Sequence, residues 1–579
     1  MKNNIKKRGQ KFVRKFSRAS LKASEESREH IRENFVARIS HIQSIRLLIF
    51  EWVLLVTALI LLAVAQAFWF GDSYAVHTFV EGGNYVEATV GKINSLNPLF
   101  ATTSSEKTLS RLMFATIVEN DYSGNPGLGL AKSIHSSESG KVWSVHLKDG
   151  LKWSDGEPIT NEDAIFTINL IQSPSVNSIY DANLENVKVS EAENGDIVFT
   201  LPSAYADFVS ALNFPILPKH KLEDAQLKTL IEDEFSTSPV TSGAFMYNAA
   251  QIATTSDAEK VVYLSANPNY YMGKPLIGSF AVHSYNTKED LITAVNTGSV
   301  TATAELSGPE VKEVTSTSFT QKNSSISSGA FIFFNLSNKQ LSNVDLRRAI
   351  REGINLEDIR SAAPDTAALN YPFLSSQIDL TAYPGLPETN AEAAKAKIAE
   401  IAGGNPLQLN IATVTSGYLP DVAEKLANSL RELGINSEVF TYAETQDFVT
   451  SVISKRNYDI LVYEMELGAD PDVLAYYHSS QANASGLNLS NYRNSLVDDL
   501  IIGARETTDE ALRVKKYETF LNYWVSDVPA IGLYQPNLTY IYNKNVRPYS
   551  NDVKLVTAFD RFTDIEDWAA SKGTKNKTP

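Results

Sequence analysis

The chain of 579 residues contains no cysteine. This absence excludes disulfide bonds, thiolate metal sites and cysteine nucleophiles, and it removes the residue through which a bacterial lipoprotein carries its lipid. In an exported chain it favours a prokaryotic over a eukaryotic secretory origin, because disulfides are common in the latter. The chain is also too long for one compact core, so we expect several domains.

Positive charge is scarce beyond the first 46 residues. Those residues hold 13 Lys and Arg against 4 Glu, a net charge of +9, whereas the whole chain carries −15 and the remainder therefore −24. The acidic remainder has no electrostatic reason to bind nucleic acid, and the basic flank is typical of a cytoplasmic segment beside a membrane. Aromatic residues make up 10% of the chain, which indicates a folded rather than a disordered protein.

One long apolar run follows the basic flank. Trp52–Phe70 (WVLLVTALILLAVAQAFWF) is uncharged, and a helix of this length spans about 28 Å, close to the thickness of the bilayer core. Aromatic residues mark both of its ends, as in an interfacial belt. The positive-inside rule then places the N-terminus in the cytoplasm and residues 71–579 outside. We therefore predict a single-pass membrane anchor over residues 47–70.

The alternative is a cleaved signal peptide, because Ala63-Val64-Ala65 fits the small-x-small cleavage pattern. The basic region of 46 residues is far longer than the usual start of such a peptide, and the apolar run continues past the cleavage pattern. Both features favour an uncleaved anchor, although the sequence leaves the cleavage open.

Strand and helix signals alternate beyond residue 93. Val142–Leu147 alternates as a half-buried strand should, and Thr160 and Asp163 have the spacing of a helix N-cap and its carboxylate partner. In the later half we predict strands at 407–413, 435–440 and 458–463 and helices at 420–433 and 445–454. This rhythm is typical of mixed sheets covered by helices.

A series of motifs keeps a characteristic order along the same region. The motifs are Val142–Asn169 (VWSVHLKDGLKWSDGEPITNEDAIFTIN), Ser242–Tyr247 (SGAFMY), Asn267–Pro275 (NPNYYMGKP), Val344–Asn355 (VDLRRAIREGIN) and Asp527–Leu533 (DVPAIGL). Over residues 85–550 or so, the chain resembles the peptide/nickel-type solute-binding proteins of ABC importers, the family of oligopeptide- and dipeptide-binding proteins.

The resemblance implies an α/β fold of the two-lobed, periplasmic-binding-protein-like type (class II, with an extra inserted subdomain), here preceded by one N-terminal transmembrane helix. Two crossing segments, near Ser328–Asn335 and Ala530–Pro536, would form the hinge. The implied domains are a basic cytoplasmic segment (1–46), the transmembrane helix (47–70), an exit segment (71–93), lobe I (94–330) with a subdomain inserted at about 116–235, lobe II (331–530), and a return to lobe I with a polar tail (531–579).

In peptide-binding members of that family, an acidic residue in a loop after a strand neutralises the α-amino group of the ligand. The matching stretch here is Tyr463–Tyr477 (YEMELGADPDVLAYY), which lacks the family's tryptophan. One alignment makes Asp470 the anchor, whereas another leaves Glu466 or Glu464 to compensate. A buried ammonium requires a carboxylate partner, because an unpaired buried charge costs several kcal/mol. Asp470 also fits the start of a turn before Pro471.

The loop 101–105 (ATTSS) lies where the family's loop for the ligand backbone lies. Small hydroxyl residues let a peptide main chain approach closely, although Ser104 or Ser105 also fits a helix N-cap. Aromatic residues near the cleft are candidates for its walls. The predicted ligand contacts are Asp470, Glu466, Thr102, Thr103, Ser104, Ser105, Tyr463, Tyr476, Phe334, Asn335, Tyr371 and Tyr534.

Enzyme and metal motifs have little support. Ser104 and Lys107 match the S-x-x-K pair of penicillin-binding enzymes, but no K-T-G follows, and the eight histidines lack metal-ligand spacing. We therefore predict no catalytic residues, no metal and no cofactor. The predicted protein is a monomeric extracytoplasmic binding component that captures short peptides for ABC permease subunits. A peptide-sensing receptor or chaperone without transport, and an oligosaccharide-binding protein on the same fold, are the alternatives.

Overall fold

The computed structural model describes residues 50–66, 75–137, 140–252, 258–379, 383, 386–443 and 448–576. The chain divides into two compact units, residues 1–78 with 573–579 and residues 79–572. The strands are β1 (Ala75–Val80), β2 (Asn84–Val90), β3 (Val118–Asn120), β4 (Pro126–Leu128), β5 (Ala131–Ser136), β6 (Val142–Leu147), β7 (Lys188–Glu191), β8 (Ile197–Thr200), β9 (Phe245–Ile252), β10 (Ala258–Ala266), β11 (Ser279–Tyr285), β12 (Ala302–Thr303), β13 (Phe319–Ser325), β14 (Ser328–Phe334), β15 (Ala367–Ala368), β16 (Leu407–Gln408), β17 (Ile411–Val414), β18 (Ile435–Asn436), β19 (Val439–Tyr442), β20 (Ile460–Glu466), β21 (Ala530–Gln535), β22 (Asn537–Asn543) and β23 (Ser571–Asn576). The helices are α1 (50–66), α2 (Ser104–Met113), α3 (Asn161–Ile171), α4 (Asp181–Leu184), α5 (Phe208–Ala211), α6 (Lys219–Leu222), α7 (Lys288–Thr297), α8 (Val344–Gly353), α9 (Leu356–Arg360), α10 (Ala391–Ala402), α11 (Leu419–Glu432), α12 (Leu474–Tyr477), α13 (Ser495–Glu506) and α14 (Glu510–Asp527).

The first unit contains the helix α1, and β1 pairs with β23. The apolar side chains of α1 are exposed, for example Phe50 at 65% and Leu61 at 64%. Across the described part of the chain, no helix combines the length and apolar character that a membrane crossing requires. Residues 47–49 and 67–70 of the predicted anchor lie outside the described residues.

Lobe I of the second unit is built around a seven-stranded sheet with the order β13-β22-β12-β2-β11-β10-β9. The strand β2 runs parallel to both β11 and β12, and the outer strands pair antiparallel. Helices α2 and α7 pack against β2. Parallel strands end at one edge of a sheet, and in open α/β sheets ligands bind outside that edge. The carboxyl ends of β2, β11 and β12 therefore define the functional edge of lobe I.

A four-stranded antiparallel sheet with the order β5-β6-β8-β7 forms the inserted subdomain. The predicted strand at Val142–Leu147 is confirmed as β6. The predicted start of α3 is also confirmed, because Oδ2 of Asp163 accepts a hydrogen bond from the backbone nitrogen of Thr160 at 2.9 Å. Trp153 is fully buried and donates to the same carboxylate at 3.4 Å. The aspartate of this motif therefore holds the subdomain together.

Lobe II is built around a six-stranded sheet with the order β15-β21-β14-β20-β17-β19. The strand β17 runs parallel to β19 and β20, whereas β14 lies antiparallel between β20 and β21. The predicted helix at 420–433 is confirmed as α11. The predicted strand at 407–413 is split, because β16 pairs with β18 in a separate two-stranded sheet and only β17 joins the main sheet. Of the predicted helix at 445–454, the structure describes a π-helical turn at Val449–Ile453.

The chain crosses between the two sheets at two short connections. Ile326 and Ser327 join β13 to β14, and Pro536 joins β21 to β22. The hinge predicted along 328–335 and 530–536 is therefore confined to these connections, because most of both segments forms central strands of lobe II. Two adjacent connections of one or two residues leave relative rotation of the lobes as the easiest motion.

Two of the sequence motifs meet in the interior of lobe II. Arg347 is 4% exposed and donates to the backbone oxygens of Asp527 at 3.0 Å and Val528 at 3.1 Å. Val528 has a φ of 49°, which is strained for a β-branched residue. The guanidinium thus satisfies the carbonyls at the end of α14 and stabilises the sharp turn that leads into β21.

A buried ion pair ties the C-terminal segment to the centre of lobe I. Arg561, 1% exposed, donates to Oε1 of the fully buried Glu87 at 3.0 and 2.7 Å. The hydroxyl of Tyr540 donates to Oε2 of Glu87 at 2.8 Å, and Tyr85 lies 2.7 Å from that hydroxyl. Every charged atom therefore has a partner, which is the condition for a buried pair to be tolerated.

Replacing Glu87 with Gln should lower the free energy of unfolding of lobe I by about 3–5 kcal/mol, because Arg561 would be left buried without a counter-ion. Urea unfolding followed by tryptophan fluorescence measures this change. Asp149→Asn, which removes the exposed ion pair with Lys132, is the control and should barely move the midpoint. An unchanged midpoint for Glu87→Gln would contradict the structural role of the pair.

Candidate functional site

The loop before α2 lies at the functional edge of lobe I and is held by one buried carboxylate. Thr103 is the N-cap of α2, one residue before the two serines that the sequence offered for that role. Glu106, 3% exposed, accepts from the backbone nitrogens of Asn94 at 2.8 Å, Thr102 at 2.9 Å and Thr103 at 3.1 Å. The loop is therefore preorganised rather than free to adapt.

The two serines at the start of α2 have different surroundings. Ser105 is fully buried, and its hydroxyl donates to the backbone oxygen of Gly91 at 2.8 Å and lies 2.7 Å from that of Thr89. This burial separates Ser105 from the surface of the cleft. Ser104 is only partly buried, and its hydroxyl donates to the carboxylate of Glu305, not to Lys107 of the S-x-x-K pattern.

The facing edge of lobe II carries four of the predicted residues. The hydroxyl of Tyr534 donates to Oε1 of Glu464 at 3.2 Å, and burial raises the pKa of Tyr534 well above its usual range. Tyr463 contacts Phe448, with ring centroids 5.9 Å apart. Glu466 is exposed, and its backbone oxygen accepts from the hydroxyl of Tyr476. These side chains lie on β20 and β21 and on the short helix α12 that follows β20.

Asp470 has an internal partner. Arg513 donates to its two carboxylate oxygens at 2.6 and 2.5 Å, and both side chains are about 15% exposed. Gln377 donates to the backbone oxygens of Leu467 at 2.9 Å and Asp470 at 3.0 Å, which fixes the loop. Asp470 is therefore a member of an ion pair within lobe II rather than an open carboxylate.

Two other predicted residues, Phe334 and Asn335, lie away from this cluster. Phe334 is fully buried at the end of β14, roughly 20 Å along the strand from the crossing. Asn335, 7% exposed, donates to the backbone oxygens of Arg456 and Tyr458 at 3.1 and 2.9 Å. Both are thus structural residues at the end of lobe II opposite the crossings. Tyr371 packs edge-to-face on Tyr383, with ring centroids 5.3 Å apart.

Among the contacts that join the lobes in the described residues, the first involves two glycines. A Cβ atom placed on Gly308 of lobe I would lie 3.0 Å from Cε1 of Tyr418 in lobe II. One placed on Gly417 would lie 2.9 Å from Oγ of Ser307. Gly308 has a φ of 56° and Gly417 a φ of 51°, which glycine adopts without strain. Glycine therefore permits both the turns and the close approach.

The second contact joins the inserted subdomain to helices α13 and α14 of lobe II. The backbone nitrogen of Ala206 donates to the backbone oxygen of Arg505 at 2.9 Å. The guanidinium of Arg505 lies 4.0 Å from the ring centroid of Tyr205 and 3.5 Å from Asp472. Asp207, on the subdomain side, faces this group of charges. We call these residues, together with Asp470 and Arg513, the latch.

The latch collects three carboxylates and two guanidiniums. Burial, followed by the negative charge of Asp470, raises the pKa of Asp207 to about 7. Burial likewise raises the pKa of Asp472 above its ordinary range, although Arg505 opposes the shift. The latch therefore has one carboxylate more than it has cations. Protonation of one carboxylate removes this excess negative charge and stabilises the contact.

Sequence reasoning missed the residues that form these contacts. Glu305 follows a strand of only two residues, too short for periodicity to indicate. Asp207, Arg505 and Arg513 carry no local motif, because their meeting depends on elements about 300 residues apart. Over the described ranges, no three His, Asp or Glu side chains are grouped so that they could hold a metal ion.

The comparison that decides the family is the match of a family model. The model of the middle region of bacterial extracellular solute-binding proteins, family 5, matches residues 125–486. The chain belongs to this family. Family 5 membership agrees with the resemblance that the ordered motifs indicate.

Among curated family 5 relatives is the oligopeptide-binding protein AppA of Bacillus subtilis, 24% identical over 532 residues that cover 85% of this chain and 92% of AppA. The solved structure of AppA in complex with a nonapeptide has a TM-score of 0.70 at 22% identity, over 85% of this chain and 100% of that chain. DppA from Helicobacter pylori, in complex with the peptide STSA, gives 0.70 at 21% identity over 83% and 98%. NikZ from Campylobacter jejuni, in complex with Ni(L-His), gives 0.71 at 20% identity over 84% and 99%. These structures confirm the two-lobed fold.

The latch should make lobe closure depend on pH through Asp207. A carboxyl with a pKa of about 7 in the closed contact and an ordinary pKa of 3.8 elsewhere takes up a proton on closing, so closure weakens as the pH rises towards 7. Energy transfer between fluorophores on the two lobes should therefore decrease from about pH 4 to about pH 7 and level off above that. Asp207→Asn should flatten this profile and keep the transfer at its acidic value. An Asp207→Asn profile that matches the wild type would argue against the latch.

Gly308→Ala should hold the lobes apart, because its Cβ would meet the ring of Tyr418. We expect the affinity for a captured solute to decrease about tenfold, which corresponds to about 1.4 kcal/mol. Gly298→Ala is the matched control, since Gly298 also has a positive φ (74°) but no atom within 4 Å of the added Cβ. Equal losses in the two variants, measured by calorimetric titration, would assign the effect to backbone strain alone. Tyr418→Ala should partly restore binding in Gly308→Ala.

Proposed function

We propose that this chain is the extracytoplasmic substrate-binding component of an ABC importer and that it captures short peptides between its lobes by hinge closure. The observation that carries the proposal is the combination of family 5 membership with two lobes between which the described chain crosses at two short connections, Ile326–Ser327 and Pro536. Such a connection lets the functional edges of the two sheets close over a solute.

The ligand class is supported by relatives. AppA is named as an oligopeptide-binding protein, and both AppA and DppA have been solved with peptides. The two-lobed fold alone leaves the ligand open, because NikZ, with a similar TM-score, holds Ni(L-His). The preorganised loop 101–105 suits a ligand recognised through its main chain, since its geometry does not depend on the ligand's side chains.

We further propose that the helix α1 is part of a membrane anchor. Its uncharged side chains are exposed along its whole length, which is unfavourable in water and favourable in lipid. The basic flank of +9 before it then places the N-terminus in the cytoplasm and the two lobes outside. An anchored binding protein stays beside its permease without a lipid-bearing cysteine.

No enzymatic step is part of the proposed function. The hydroxyl of Ser104 donates to Glu305, and the sequence lacks the K-T-G motif that accompanies the S-x-x-K serine of penicillin-binding enzymes. In the proposed function, the protein binds the solute and closes over it without changing it chemically.

Mass spectrometry of solutes that copurify with the full-length protein in detergent tests the ligand class. A mixture of short peptides with varied side chains is the expected result, because recognition through the main chain tolerates different sequences. Oligosaccharides, or a nickel chelate without peptides, would overturn the peptide assignment. Loss of peptide uptake in cells that lack the partner permease would distinguish import from a purely sensory role.

A further inference from the structure

Glu305 lies at the functional edge of lobe I, in a position that none of the sequence motifs indicates. It follows β12, which is flanked by β2 and β22 at the centre of the sheet. Two residues later, Ser307 and Gly308 approach the loop at Gly417 and Tyr418 of lobe II. Glu305 is therefore adjacent to a surface that faces the other lobe.

The carboxylate of Glu305 lacks a counter-ion of its own. Among the described residues it takes part in no ion pair, and its hydrogen bond comes from the neutral hydroxyl of Ser104. The two nearby cations are engaged elsewhere, because Arg561 pairs with Glu87 at 2.7 Å and Lys288 with Glu310 at 2.7 Å. Burial raises the pKa of Glu305, although Ser104, Arg561 and Lys288 oppose the shift.

A desolvated carboxylate without an ion pair gains more from an incoming cation than a solvated or paired one does. Asp470, one of the anchors that the sequence offered, already accepts two hydrogen bonds from the guanidinium of Arg513. Glu466 is exposed to solvent and would gain little from a cation. Of these carboxylates, Glu305 is the one whose surroundings most favour a new positive partner.

We propose that Glu305, oriented by Ser104, binds the primary ammonium group of the captured peptide from the side of lobe I. The assignment rests on the proposed peptide-binding function. It moves the residue that binds the ammonium group from the loop after β20, in lobe II, to the edge of lobe I beside β12. The ammonium displaces no internal ion pair when it binds. Closure of lobe II then removes it from water and strengthens the contact.

Two ligand groups share this chemistry, the α-ammonium and the side chain of a lysine. Three synthetic pools of short mixed-sequence peptides separate them: lysine-free peptides with a free amino terminus, the same peptides N-acetylated, and N-acetylated peptides that contain one lysine. Binding of each pool to the full-length protein is measured by calorimetric titration, and the retained members are identified by mass spectrometry.

Glu305→Gln should weaken binding of the free-amine pool at least about tenfold and leave binding of the lysine-free N-acetylated pool unchanged. If the lysine-containing acetylated pool also loses affinity, the site accepts a side-chain ammonium, and if it does not, the site reads the amino terminus. Ser104→Ala should cause a smaller loss in the same direction, because it removes only the orienting hydrogen bond. Glu313→Gln, an equal change of charge at an exposed position of lobe I, should change none of the three affinities.

The failure of this assignment can be told apart from failure of the proposed function. If the wild type binds none of the three pools, the peptide-binding function falls, and the role of Glu305 falls with it. If the wild type binds peptides and Glu305→Gln weakens the free and acetylated pools equally, Glu305 is only structural and the assignment is overturned. Unchanged binding in a Glu305→Gln variant with a wild-type melting temperature would overturn it as well.

Discussion

Two crossings of one or two residues are the constraint on which the rest of this molecule depends. Each sheet has its own core, and within the described residues the chain passes between the sheets at Ile326–Ser327 and at Pro536. On the side of lobe II, β14 and β21 are central and buried strands, so they cannot bend without breaking that sheet. Deformation is therefore concentrated in the connections, and the two lobes can move as rigid bodies.

The charges of the protein fall into two groups with different physical roles. Within lobe I, the buried charges of Glu87 and Arg561 pair with each other, so they add rigidity and neither is left without a partner. Between the lobes, charges are left incomplete. The latch around Asp207 has a surplus carboxylate, and Glu305 has a hydroxyl partner where a cation would be more favourable. The incomplete groups are the ones positioned to respond to protons, ligands or closure.

Local sequence patterns predicted the elements whose cause is local. The alternation in Val142–Leu147 and the spacing of Thr160 and Asp163 were sufficient to locate β6 and the start of α3, because side-chain periodicity and capping act over a few residues. The same reasoning was less successful at 407–413, where one apolar run serves two different sheets. It also located the N-cap of α2 one residue too late, since the loop conformation is set by Glu106, which accepts hydrogen bonds from residues on both sides.

The sequence by itself determined the family, the alternation of strands and helices, the charge asymmetry and the uncharged run at 52–70, because each of these is a pattern of residues close together in the sequence. The tertiary structure alone decided which carboxylates are available. The sequence offered Asp470 as an anchor and gave no indication of Glu305. In the structure, however, Arg513, 43 positions along the chain, pairs with Asp470, whereas the cations near Glu305 pair with Glu87 and Glu310. Which cation pairs with which carboxylate depends on their distance in space and on their burial, and neither is a local property of the sequence.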